Sequence, residues 1–399
     1  MRSARHGLLA LAAAAAVTLP TAAYAAPLQA SAPAGQATRY TLDPGTSPSG
    51  PWPAALPGGP QVVQENWLDP RTVDLTVSSP AVNAQLPVRL LLPKGWSKQA
   101  NRTWPVLYLF HGGADNYTSW TRQTGIEEMT ANVDAIVVMP EAGATGNYSD
   151  WYNGGKGGPP AWETFHTKEL IGLLESGYKA GSRRAVSGIS MGAHGAMKYA
   201  AKNPGMFRFV GAHSGILSTR LPGVPSAIMR AQEKGSQDPK ALWGDPIRNR
   251  DVWKANDPTA YAKNLQGVTI YISGSRTGLK GEFDAPDAEW HPAHLGEPLS
   301  TYTARHLITK LRAYGVKPTV NFYKRGTHSW PYWEREFKTS FPTILKSLGL
   351  DQNGGSPGTP TPTPTPTPTV TPAPTGSPAP TKPPAPGNPV VPPELWKLR

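Results

Sequence analysis

Residues 188–192 read Gly-Ile-Ser-Met-Gly and fit the pattern G-x-S-x-G. In that pattern the serine lies on a tight strand-to-helix turn, which holds its hydroxyl exposed at the edge of a sheet. A side chain at either glycine would collide with the neighbouring strand and helix. The strand-like run 185–187 precedes the motif, and small apolar residues recur at helical spacing after it. This context favours Ser190 as a nucleophile over an ordinary glycine-rich turn.

A serine hydroxyl is a poor nucleophile at neutral pH and needs a base. Hydrolases built around this turn place the serine first, the acid next and the histidine on a late loop. Of the six histidines that follow Ser190, His328 comes soon after the predicted strand 320–323 and before the last helical pattern. The sequence therefore predicts His328 as the base and gives the other five structural roles.

The acid that orients the imidazole is expected after the apolar run 268–272. Four carboxylates follow that run: Glu282, Asp284, Asp287 and Glu289. Glu282 is the preferred candidate, and Asp284 is the alternative.

An oxyanion hole is expected after the buried strand 106–110, which is followed by His-Gly-Gly. A backbone amide at that point, with the amide after the nucleophile, stabilises the developing oxyanion. The sequence predicts the amides of Gly113 and Met191, against the alternative of a simple turn. Trp330 and Trp151 lie near the motifs and are predicted to contact the substrate.

Short apolar runs alternate with helical patterns along residues 61–350, which predicts an α/β fold with a mostly parallel sheet and helices on both faces. Besides the helix after Ser190, apolar residues at helical spacing predict a helix around 304–311 and a last one over 333–345, kinked at Pro342. The predicted strands are 73–77, 88–92, 106–110, 136–139, 185–187, 210–212, 268–272 and 320–323.

The two ends of the chain have the composition of export and spacer segments. Residues 1–25 combine positive charge, a short apolar run and Ala-Tyr-Ala, as in a secretory signal peptide. The apolar run is too short to span a bilayer, which takes about 20 residues. Residues 26–60 are predicted to be flexible, and 351–399 to be an extended, disordered Pro/Thr-rich tail. These features predict a secreted protein, for which association with the cell wall is one location.

The composition narrows the classes of partner and cofactor. The chain has no cysteine, so disulfides and thiol chemistry are excluded. The net charge is +12, of which the signal segment and the tail carry three, leaving about +9 on the central region. With no nucleic-acid-binding motif, this charge favours an anionic wall or membrane surface over nucleic acid. No cofactor is predicted, and His291-Pro-Ala-His294 lacks the spacing of a metal site.

The chain resembles the secreted mycolyltransferases of the antigen 85 group and the wider esterase D group over most of residues 70–350. The most specific piece is Gly-Thr-His-Ser-Trp at 326–330, and four further segments share the likeness: 149–152, 162–165, 242–244 and 256–259. The resemblance implies an α/β-hydrolase fold, a triad on Ser190, Glu282 and His328, and an oxyanion amide at Met191. Those enzymes move a long acyl chain between trehalose esters or to cell-wall arabinan.

Three departures from that family bear on the reaction. Residues 111–114 read His-Gly-Gly-Ala in place of Asp-Gly-Leu-Arg, so the arginine that helps to hold the sugar has no counterpart. The loop that carries the acid is about two residues longer, so Asp284 remains the alternative candidate for the acid. Gly192, where the family has alanine, is typical of general esterases. The sequence therefore predicts a secreted serine ester hydrolase acting on a lipid, polyester or acylated carbohydrate; the alternatives are acyl transfer to trehalose or a cell-wall sugar, and a non-catalytic binding protein.

Overall fold

A single sheet organises the part of the chain that the computed structural model describes, residues 52–356. Its strand order is β1-β2-β3-β5-β4-β6-β7-β8-β9. The strands are β1 (Gln61–Trp67), β2 (Thr72–Ser79), β3 (Ala84–Leu91), β4 (Trp104–Phe110), β5 (Ile136–Pro140), β6 (Ala180–Ile189), β7 (Phe209–His213), β8 (Thr269–Ser275) and β9 (Thr319–Tyr323).

The sheet is antiparallel at one edge and parallel elsewhere. The pairs β1–β2, β2–β3 and β3–β5 are antiparallel. The pairs β4–β5, β4–β6, β6–β7, β7–β8 and β8–β9 are parallel. Because parallel strands end at the same edge, the loops after β4, β6, β8 and β9 can meet there.

The helices connect the strands across both faces of the sheet. They are α1 (Ser119–Gln123), α2 (Ile126–Met129), α3 (Trp162–Thr164), α4 (Ile171–Tyr178), α5 (Met191–Lys202), α6 (Val224–Lys234), α7 (Arg250–Ala255), α8 (Gly296–Ala313) and α9 (Trp330–Ser347). A π-helical turn joins α3 to α4, and 3-10 turns lie at Asn153–Gly155, Pro258–Leu265 and Pro292–Leu295.

Alternation along the strands divides the core into two layers. In β4, Val106, Tyr108 and Phe110 join the layer that includes residues of α5 and α8, while Leu107 and Leu109 join the layer that includes residues of α9. A strand buried on both faces in this way is a continuous apolar run, as the sequence indicated. The predicted α/β-hydrolase architecture is confirmed.

Of the nine helices in the described residues, the sequence predicted α5, α8 and α9, and it predicted every strand except β1. Strand β1 was not predicted, because it is a half-exposed edge strand without a regular apolar alternation. Helix α9 runs through Pro342 as one helix. Residues 52–60 attach to the sheet through Pro53, whose carbonyl accepts the amide of Gln85 at 2.8 Å.

The predicted signal peptide (1–25), the segment 26–51 and the tail from residue 357 lie outside the described residues. Among residues 52–356 no helix is both long and apolar enough to cross a membrane.

Candidate active site

The turn between β6 and α5 holds Ser190 in a conformation that side chains rarely adopt, with φ 51° and ψ −115°. A Cβ on Gly188 would lie 2.3 Å from the carbonyl oxygen of Gly192, inside the turn. A Cβ on Gly192 would lie 2.5 Å from the carbonyl oxygens of Phe110 and His111, at the end of β4. In this chain neither glycine can gain a side chain unless the neighbouring backbone moves.

Ser190, His328 and Glu297 form a chain of hydrogen bonds. His328 Nε2 lies 2.9 Å from Ser190 Oγ, and its Nδ1 lies 2.6 Å from Glu297 Oε1. Since a carboxylate accepts, Nδ1 carries the proton and Nε2 is free to accept from the serine hydroxyl. The predicted pair of Ser190 and His328 is brought together by loops from β6 and β9.

Glu297 is a fully buried carboxylate at the start of α8. Its Oε2 accepts the backbone N–H of Ser275, the last residue of β8, at 2.6 Å. Its position in the first helical turn is favourable for a negative charge, because the N-terminus of a helix carries a partial positive charge. The bond from Ser275 and the helix N-terminus hold the Glu297 carboxylate in place, with Oε1 facing His328.

The predicted acids do not contact His328, and the assignment of this position to Glu282 or Asp284 is wrong. Glu282 is exposed and forms an ion pair with Arg335 of α9. Asp284 faces the base loop but accepts from Thr327 Oγ1 at 2.5 Å and from Tyr332 Oη at 2.6 Å. Glu297 was not predicted, because the apolar pattern indicates this helix only from residue 304 onward. Its first turn carries Pro298 and Ser300 in place of a clear apolar stripe.

Asp284 ties the loop after β8 to the loop that carries His328. Burial alone would raise the pKa of its carboxyl, but the hydrogen bonds from Thr327, Tyr332 and the Gly281 amide outweigh burial and lower the pKa below its usual value. The carboxylate is therefore held ionised, and its bond to Thr327 restrains the residue next to His328.

His294 is a second restraint that the sequence did not indicate. Its Nδ1 accepts the backbone N–H of His328 at 3.1 Å, so its proton lies on Nε2. Partial burial and the neighbouring His328 lower the pKa of His294, which keeps the ring neutral and able to accept this bond. By contrast, His194 and His213 are buried among core residues, and burial lowers the pKa of each to about 3.

The loop after β4 borders the serine, as predicted. A Cβ on Gly112 would lie 3.5 Å from Ser190 Cβ, and one on Gly113 would lie 4.0 Å from Met191 Sδ. His111 Nε2 accepts the amide of Ala142 at 3.0 Å. Its Nδ1 therefore carries the proton and donates to the Gly112 carbonyl at 2.7 Å.

The two tryptophans predicted to bind substrate lie in different surroundings. Trp330 is partly exposed at the start of α9 and packs edge-on against Trp120, with ring centroids 5.3 Å apart. Trp151 is buried in the core, and its indole N–H donates to the Gly146 carbonyl at 3.2 Å. Trp333, which the sequence did not single out, packs edge-on against the His328 ring at 4.8 Å.

We expect Gly192→Ala to destabilise the protein by several kcal/mol, about 3 or more, because the new Cβ would overlap two backbone carbonyls that cannot move independently of β4. Urea unfolding measures this change. Gly172→Ala, at an exposed position of α4, is the matched control, since nothing lies within 4 Å of a Cβ added there. The control should be neutral or stabilised by about 0.5 kcal/mol. Equal stability of the two variants would contradict the steric requirement.

We expect Asp284→Asn to lower the free energy of unfolding by about 1 kcal/mol at pH 7, a value reduced for partial exposure. Because the pKa of Asp284 is lower in the folded state, its contribution is present above pH 3.8 and is lost as the pH falls through the folded pKa. The difference from wild type should therefore shrink in acid. Asp287→Asn in the same loop serves as the control, and an identical loss there would argue against the specific contacts.

Comparisons with known proteins identify the family and the fold. Residues 79–344 match the family model described as a putative esterase. The chain is 39% identical over 166 residues to an esterase of Mycobacterium tuberculosis, a match that covers 41% of this chain and 36% of that protein. It is 31% identical over 271 residues to the diacylglycerol acyltransferase/mycolyltransferase Ag85B of Mycobacterium avium, covering 63% of this chain and 78% of the relative.

Two solved structures have similar folds. MPT51 of Mycobacterium tuberculosis aligns with a TM-score of 0.58 and 25% identity, over 69% of this chain and 97% of that one. An S-formylglutathione hydrolase from Agrobacterium tumefaciens aligns with a TM-score of 0.55 and 17% identity, over 72% and 99% of the two chains. The family model covers about two thirds of the chain, and the chain therefore belongs to the putative esterase family.

Proposed function

We propose that this protein hydrolyses carboxylic esters through an acyl-enzyme on Ser190. The observation that carries the proposal is the continuous hydrogen-bond chain from Ser190 through His328 to buried Glu297. A hydroxyl, an imidazole and a carboxylate in this order are the components of a serine hydrolase triad. The strained serine turn and the family membership support the same reaction.

The first half of the reaction forms the acyl-enzyme. His328 Nε2 removes the Ser190 proton as Oγ attacks the ester carbonyl, and Glu297 stabilises the imidazolium through the Nδ1 proton. Collapse of the tetrahedral intermediate breaks the bond to the alkoxy oxygen, and His328 returns the proton to the leaving alcohol. Water, deprotonated by the same nitrogen, then attacks the acyl carbonyl. The bond to Ser190 Oγ breaks, His328 returns the proton to Oγ, and the acid is released.

The amides of Gly113 and Met191 are proposed to bind the oxyanion. Met191 is the first residue of α5, so its N–H has no partner within the helix. The bond from His111 Nδ1 fixes the Gly112 carbonyl. Because N–H and C=O of a planar trans peptide point in opposite directions, the Gly113 N–H is directed away from His111. Donors fixed in this way are worth about 3 kcal/mol each in the transition state.

We expect Ser190→Ala to lower kcat/KM for a p-nitrophenyl ester by about 10⁴-fold or more. Glu297→Gln should cost nearly as much, about 10⁴-fold, because the amide cannot stabilise the imidazolium. Glu282→Gln is the matched control and should remain within about twofold of wild type, since Glu282 contacts Arg335 instead. A large loss for Glu282→Gln with a small one for Glu297→Gln would reject the assignment.

The named activity of the Mycobacterium avium relative favours acyl transfer as a second candidate. Hydrolysis and transfer share the acyl-enzyme and differ in whether water or a sugar hydroxyl resolves it. We expect free acid to be the main product from p-nitrophenyl esters of different acyl lengths, with or without trehalose. Acyl-trehalose as the main product would identify a transferase, and loss of Ser190 should abolish either product. Activity that persists in Ser190→Ala would reject both.

The cellular setting is also a proposal. The signal-like residues 1–25 support export, and the positive charge supports contact with an anionic cell surface. In that setting the substrate is an ester of a lipid, a polyester or an acylated carbohydrate. The intact triad argues against a purely non-catalytic binding protein.

A further inference from the structure

The loop between β8 and α8, residues 276–295 and here termed the rim loop, has an unusual distribution of polarity. Ten large apolar side chains are exposed within residues 52–356, and four of them lie in these twenty residues. They are Leu279 (45% exposed), Phe283 (46%), Trp290 (41%) and Leu295 (59%). Single exposed apolar residues are common, but a cluster of this kind marks an interaction site.

Several charged groups of the same loop are bound by protein atoms. Lys280 Nζ donates to the carbonyls of Pro286 and Ala288 at 2.6 and 2.9 Å. Glu282 pairs with Arg335, and Asp284 accepts from Thr327 and Tyr332. These three charges are bound within the protein. Asp287 and Glu289 of the same loop are exposed, as are the four apolar side chains.

The rim loop also borders the proposed catalytic histidine. The Trp290 ring lies 6.0 Å from that of His294, whose Nδ1 accepts the His328 amide. A Cβ on Gly296 would lie 3.7 Å from His328 Nδ1. The apolar side chains are therefore carried by the segment that frames the base, where an ester bond must arrive.

Cations lie along one side of this segment. Residues 276–280 run beside 323–326, with Arg276 N–H donating to the Tyr323 carbonyl at 2.8 Å and Arg325 Nε donating to the Lys280 carbonyl at 2.7 Å. Arg276, Lys324 and Arg325 are exposed there. These three cations outnumber the two exposed carboxylates of the loop that lie outside the contacts described above, Asp287 and Glu289. Apolar side chains beside this excess of cations match a surface of acyl chains beneath anionic headgroups.

We propose that the rim loop is a lipid-docking surface, through which the protein binds an anionic lipid layer and takes up ester substrate from it. The inference rests on the proposed ester chemistry for the identity of the substrate but not for the binding itself. Leu279 and Leu295 insert among the acyl chains, Trp290 lies at the headgroup level, and the neighbouring cations meet the anionic headgroups.

The test compares the full chain with the double variant Leu279→Ser, Leu295→Ser. Neither leucine side chain has a hydrogen-bonding role, and both are exposed, so the variant should fold with an unchanged Tm. The matched control is Ile247→Ser, which removes a side chain that is 84% exposed outside the rim loop. Binding is measured by co-sedimentation with phosphatidylcholine vesicles that contain a minority of phosphatidylglycerol.

We expect the double variant to bind these vesicles about tenfold more weakly than wild type, with Ile247→Ser unchanged. Its hydrolysis of an ester embedded in the vesicles should fall about tenfold, while hydrolysis of dissolved p-nitrophenyl acetate stays within about twofold. Phosphatidylcholine alone should bind wild type more weakly than the mixed vesicles, because the cations then lose their partners.

Four other results separate the possibilities. Absence of vesicle binding by wild type, or equal binding by the double variant, would overturn the inference. A wild-type dimer that the double variant dissociates, without vesicle binding, would show that a second copy covers the loop. A parallel loss on dissolved ester would mean that the leucines support the catalytic site instead. Vesicle binding without hydrolysis of any ester would leave the docking surface intact and reject the proposed function.

Discussion

The close approach of Gly192 to the end of β4 is the constraint on which the site depends. At that point α5 begins almost in contact with the carbonyl oxygens of Phe110 and His111. The same contact positions the serine turn on one side and the loop that carries Gly113 on the other. Because the backbone of β4 is buried in the centre of the sheet, neither side can move without disturbing the core. The proposed nucleophile and the proposed oxyanion donors are thus held by one packing arrangement.

The proposed base, His328, is held differently, by polar contacts between loops. His328 lies on a loop after β9 whose position depends on Glu297, on His294 and on the Asp284–Thr327 bond. These partners all belong to the segment between β8 and α8 or to the start of α8. A neutral His294 and an ionised Asp284 are both needed, and the directions of their pKa shifts favour those states. Rigid strands fix the serine, whereas hydrogen bonds orient the imidazole.

The segment that restrains His328 also presents the exposed apolar side chains. Two of its four carboxylates are paired within the protein: Glu282 binds Arg335, and Asp284 binds the base loop. Each pairing offsets a negative charge that would oppose contact with an anionic surface. The proposed catalytic chain and the proposed lipid-docking surface thus depend on the same segment of the fold. Similar folds serve different chemistries by changing such loops.

Local patterns in the sequence were sufficient for the strands around the site, the serine turn and the histidine, because each depends on residues that are neighbours along the chain. The G-x-S-x-G spacing encodes a turn of five residues, and continuous apolar runs encode buried strands. Glu297 could not be predicted from such local patterns. It is 22 residues from the strand residue that binds it and 31 from His328, in a helical turn without a clear apolar pattern. Which of several carboxylates reaches the imidazole depends on how a long loop folds back over the sheet, and only tertiary packing decides that.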